Sequence, residues 1–102
     1  MGQLLRIREM EQRLTASLEA VRQMEEALDR YEAALADITI LAAYLKSDER
    51  HQDLADDERG VLPPDLKRGV LSEDGIWNLL EDNTHLAQRM RTLANQLLPT
   101  RE

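Results

Sequence analysis

From Gln3 to Arg59 the chain contains neither glycine nor proline, and apolar residues recur through this stretch at spacings of three and four. The seam runs Ile7, Met10, Leu14, Ser17, Val21, Met24, Leu28, Tyr31, Leu35, Ile38, Ala42 and Leu45, with Ser17 and Ala42 its small members. A 3.5-residue repeat lays such a set along one narrow face of a helix, which is stable in water only when that face meets other helices. The pattern therefore predicts an all-α protein built on one long helix, in a coiled-coil-like hairpin or bundle.

Local signals divide the rest of the chain. The long helix is predicted over about 3–46, which at 1.5 Å per residue is about 65 Å. Two i,i+4 pairs, Arg22–Glu26 and Glu26–Arg30, decorate its outer faces. Ser47 has the chemistry of an N-cap, with Asp48 and Glu49 in the first turn of a short acidic helix over about 48–59. Gly60 stands where a left-handed residue ends that helix. Leu54 is the only strongly apolar residue between Ser47 and Gly60, so this helix is expected to be loosely held.

A loop is predicted over 60–72, since Pro63-Pro64 excludes helix. Ser72 is read as the N-cap of a last helix over about 73–98, with Glu73 and Asp74 in its first turn and Leu71 and Ile76 as a hydrophobic staple. Its seam reads Ile76, Leu79, Asn83, Leu86, Met90, Leu93, Leu97. One domain is expected, with the last helix packed antiparallel on the first. The first seam is longer than the last helix can cover. Ile7, Met10, Leu14 and Val21 are left over, and a homodimer joined along them is expected.

Charge and composition narrow the function. A net charge of −7 excludes a nucleic-acid partner, which requires a basic stripe. The first helix has a polar face of mixed sign and a narrow stripe, features that favour a protein partner over a membrane. No apolar run is long enough to span a bilayer, no signal segment is evident and there is no cysteine, so the expected compartment is the cytoplasm.

The chemistry-bearing residues are few. Asp53, Asp56 and Asp57 with His51 cluster on the acidic helix, but their spacing is not that of an EF-hand and a solvated helix is expected rather than a metal site. His85 is solitary and expected at the surface. Ser72 has no base beside it, and Tyr44, Asp65, Glu73 and Asp82 form no recognised catalytic motif. Neither enzyme activity nor a cofactor is expected.

The stretch from Leu62 to Leu80, with its run Leu66-Lys67-Arg68-Gly69-Val70-Leu71-Ser72-Glu73-Asp74 followed by Trp77 and Leu79-Leu80, resembles a bacterial family known only as domain of unknown function 4298. The resemblance extends back through Tyr44, Ser47, Asp53, Asp57 and Gly60, while Leu45 and Arg50 stand where relatives carry aromatics. It implies a helical fold and brings no activity with it.

Two readings compete for the Lys67-Arg68-Gly69 segment. One is an anion or partner site formed by Lys67, Arg68, Gly69, Ser72, Trp77 and Asn78 at a helix start. The other, preferred because residues 47–60 hold six acids against two arginines (net −4), makes Arg68 a latch to Asp53, Asp57 or Asp74 and to backbone carbonyls. Trp77 is expected to be buried beside Tyr44 or its neighbours. The role read from the sequence is a non-catalytic interaction or scaffold protein, with a small-anion or ligand-binding module second and a small enzyme third.

Overall fold

The computed structural model describes residues 2–99. It is all-α. Helix α1 spans Gly2–Leu45, α2 spans Asp48–Glu58 and α3 spans Gly75–Leu97, with a single 3-10 turn at Gly69–Leu71 between the last two. No strand occurs among the described residues. The chain divides into two compact units between Ala36 and Asp37, within the continuous α1.

The first unit is helix alone. Every described residue from 2 to 26 is exposed, the seam residues included: Ile7, Met10, Leu14, Val21 and Met24 are 47–59% exposed. Arg22 binds Glu26 at 2.6 Å and Glu19 at 2.5 Å, so the Glu26 carboxylate serves Arg22 and not Arg30. Such exposed pairs each contribute only about 0.2–0.5 kcal/mol.

The second unit begins with the last turns of α1. Ser47 Oγ donates to the Tyr44 carbonyl (2.7 Å) and accepts from the Arg50 N–H (3.1 Å), closing one helix and opening the next. Asp48 and Glu49 occupy the first turn of α2, as expected. At the other end of α2, the Gly60 N–H donates to the Asp57 carbonyl (3.0 Å) and the Val61 N–H to the Asp56 carbonyl (3.2 Å). This is the two-bond C-terminal motif that requires a left-handed residue, and Gly60 supplies it with φ +73°. A turn at Pro63–Leu66 follows, its Leu66 N–H on the Pro63 carbonyl at 3.2 Å.

Helix α3 starts later than the sequence predicts. Its first i to i−4 bond runs from the Asn78 N–H to the Asp74 carbonyl, so Glu73 and Asp74 precede the helix. The reason lies just upstream. The 3-10 turn draws the Leu71 and Ser72 N–H groups back to the Arg68 and Gly69 carbonyls, and Asp74 at φ −126°, ψ 1° is not yet helical. Ser72 keeps a capping role from outside: its hydroxyl accepts from the Gly75 N–H (3.0 Å) and donates to the Gly69 carbonyl (2.7 Å).

Ile76, at 4% exposure, is the one residue fully buried among those described. Trp77 is not buried, against expectation: it is 55% exposed. Adjacent helical residues point about 100° apart, so the inward aim of Ile76 turns the indole outward. It lies beside Leu45 and Lys46 at a shallow surface cleft with Leu80 and Thr84. Leu66 and Val70 are also exposed, while Asn83, the polar station of the α3 seam, is half-buried.

The tight approach at the α3 start makes a test. A Cβ added to Gly75 would collide with the Gly69 carbonyl oxygen and with Ser72 Oγ, whereas one added to Gly69 meets open space. Alanine inside a helix is ordinarily better than glycine by about 1 kcal/mol. Gly75→Ala is nonetheless expected to destabilise by about 1–3 kcal/mol, and Gly69→Ala to stay within about 0.5 kcal/mol of wild type, both read by urea unfolding.

Candidate functional site

Arg50, Asp57 and Arg68 converge on the loop between α2 and α3. Arg50, Asp53, Leu54 and Asp57 stand at i, i+3, i+4 and i+7 on α2, the spacing of a helix's inward face, and all four are half-buried. Charged residues occupy three of these four positions. Each is matched by a partner.

Arg68 is the centre of the arrangement. Its Nε donates to Asp57 Oδ1 at 2.6 Å, Nη1 donates to the Leu66 carbonyl at 2.7 Å and more weakly to the Pro64 carbonyl at 3.4 Å, and Nη2 donates to the Pro63 carbonyl at 2.8 Å. Prolines at 63 and 64 stiffen the loop but leave its carbonyls without an intrahelical partner, and a guanidinium supplies donors in the fan that several carbonyls need. The geometry is that of the latch. All three guanidinium nitrogens are engaged, and the Gly75 and Asn78 N–H groups at the helix start are taken by Ser72 Oγ and the Asp74 carbonyl.

Arg50 makes a second bridge that the sequence reading missed. Its Nε donates to the Val70 carbonyl and its Nη2 to the Ser72 carbonyl, each at 3.1 Å, tying α2 to both sides of the 3-10 turn's exit. The inward i, i+3, i+4, i+7 spacing with Asp53, Leu54 and Asp57 was the signal available in the sequence. Helix α2 is thus linked to the loop by polar contacts where apolar burial is scarce.

Tyr44, at the end of α1, donates its hydroxyl to Asp53 Oδ2 at 2.5 Å. That hydrogen bond to a carboxylate, with desolvation and the negative charge of Asp53 adding to it, raises the phenol's pKa above its ordinary 10.0. A phenol held protonated is suited to a structural bond and not to general-base work. Asp56 is also engaged, accepting from Arg59 at 2.6 Å and from Gln52 at 2.9 Å. Among the described residues, no three acidic or histidine side chains come together as a metal site would need. His51 is exposed, and His85 is exposed with Nε2 4.0 Å from Glu81.

The other residues read from the sequence are dispersed. Lys67 is exposed and lines a shallow cleft with Leu41, Val70 and Ile76. Gly69 serves through its carbonyl, which accepts from the Ser72 hydroxyl. Trp77 opens onto a different cleft, and Asn78 is exposed.

Residues 7–93 match the family described as domain of unknown function (DUF4298). The chain belongs to that family. No curated protein and no solved structure matches it. The DUF4298 match covers both units: the exposed seam from Ile7 onward and the whole Arg50–Arg68 clamp. Among its described residues no helix is long and apolar enough to cross a membrane.

Two measurements test the clamp. Arg68→Lys keeps the charge and loses the fan of donors. With the Arg68 and Asp57 side chains 31% and 29% exposed, solvent screening limits the expected loss to about 1–2 kcal/mol. It is read as a lowered Tm that sulfate or phosphate at fixed ionic strength does not restore. A wild-type Tm raised by those anions would favour an anion site instead. Separately, ultraviolet titration should find Tyr44 ionising above the ordinary 10.0 of a phenol, with Asp53→Asn lowering its value. Because the folded-state value is raised, this contribution to stability is intact below the unfolded pKa near 10 and is lost as pH rises through the folded value.

Proposed function

We propose that this chain is a non-catalytic protein-interaction or scaffold protein of the bacterial cytoplasm, which works as a homodimer joined along the amino-terminal half of α1. The observation that carries the reading is the exposure of every residue from 2 to 26, the apolar seam Ile7, Met10, Leu14 and Val21 among them. Helix propensity alone leaves an isolated helix marginal in water, so a helix of this length gains its stability from packing on an apolar face. A continuous exposed stripe of large apolar side chains is the mark of an interaction surface.

The second unit supports a structural reading of the remaining chemistry. Arg50, Asp57 and Arg68 are committed to fixing the loop and the approach to α3, and Asp53 is committed to Tyr44 at the end of α1. In this reading the clamp shapes a folded end, and the seam of α1 does the assembling.

Light scattering at tens of micromolar protein is expected to return the mass of two chains. Leu14→Lys combined with Val21→Lys should give one-chain mass and a weakened far-ultraviolet helical signal. A wild-type mass of one chain would sink the proposal.

A further inference from the structure

We infer that residues 4–24 of α1 pair with the same residues of a second copy side by side and in register, with both amino termini at the same end. This rests on the dimer reading above and adds the direction and alignment of the two helices, which follow from what flanks the seam.

In heptad terms Ile7, Leu14 and Val21 are a positions, and Met10, Ser17 and Met24 are d positions. Within residues 4–24 the β-branched seam members, Ile7 and Val21, both fall at a and none falls at d. Two-stranded parallel pairs favour that distribution. Ser17 adds a small polar layer, which in register meets Ser17 of the partner subunit and disfavours sliding past an apolar station.

The flanks decide the direction. Arg6 and Arg13 are g positions, and Leu4, Glu11, Leu18 and Glu25 are e positions. In a parallel pair each g residue faces the e residue five positions further along the partner. Arg6 then meets Glu11 of the partner subunit, twice by symmetry. Arg13 meets Leu18 of the partner subunit, whose exposed side chain its methylene stem covers.

An antiparallel pair sets e against e and g against g. In the alignment that overlaps Ile7 through Met24 fully, Glu11 faces Leu18 and Arg13 faces Ala20, so neither charge gains a partner and Leu18 meets a carboxylate. Sliding by one heptad in either direction places Glu11 against Glu25 or against its own copy, and like charges so placed repel. Only the parallel arrangement satisfies Arg6, Glu11 and Leu18 together.

Cysteine cross-linking tests this cleanly because the chain has no native cysteine. Met10→Cys and Val21→Cys are made singly, with Glu19→Cys, on the outer face, measuring collisional background. In the parallel pair each seam cysteine lies opposite its own copy, within reach of a disulfide. Both single variants are expected to form cross-linked dimer faster than Glu19→Cys by on the order of tenfold or more. An antiparallel pair sets residue 10 opposite residue 21, so cross-linking would appear only when the two variants are mixed and re-equilibrated. Cross-linking confined to that mixture, or absent throughout, in a protein of two-chain mass overturns the inference and leaves the dimer reading standing. A one-chain mass for the wild type overturns the dimer reading itself.

Discussion

Arg68 is the contact on which the rest of the carboxy-terminal unit depends. The chain between α2 and α3 carries two consecutive prolines, exposes most of its apolar side chains and contains no regular element beyond one 3-10 turn. Apolar burial cannot hold such a segment. A guanidinium that ties the carbonyls of Pro63 and Leu66 to the carboxylate of Asp57 makes the loop one piece with α2. Arg50 repeats the device from the other side by holding the carbonyls of Val70 and Ser72. These two arginines bring the backbone to Gly75 in a fixed approach, and the start of α3 and the buried Ile76 follow from that.

The long first helix, the glycine stop at 60 and the Ser47 cap were legible because each is local: one residue or one spacing determines the outcome. Latching by Arg68 was legible for a related reason, since an acidic helix lies next to a basic loop in sequence. What failed depended on direction or on competing turns. The start of α3 was placed early because a Ser-Glu-Asp run has the composition of a helix start, yet the 3-10 turn at 69–71 claims the preceding backbone first. Trp77 stands beside the α3 seam, where it could cover Leu66, Val70 and Leu71, but its neighbour Ile76 takes the inward direction. Arg50 went unassigned because the face of α2 it shares with Asp53 and Asp57 is amphipathic in polarity of contact and not in hydrophobicity.

The two units solve the same problem by different chemistry. Within residues 37–99, directional hydrogen bonds join the end of α1, α2, the loop and the start of α3. Residues 2–26 present side chains that nothing in the first unit covers. The proposed assembly along α1 rests on that exposed apolar seam.

The scarcity of buried apolar surface has a thermal consequence. The heat-capacity change of unfolding is set mainly by apolar area newly exposed to water, and polar exposure subtracts from it. A unit in which Ile76 is the one fully buried residue among those described, and whose loop is held by arginine–carbonyl bonds, exposes little new apolar surface when it opens. Its stability curve is therefore shallow. The carboxy-terminal unit loses hold gradually on warming, and cooling weakens it little.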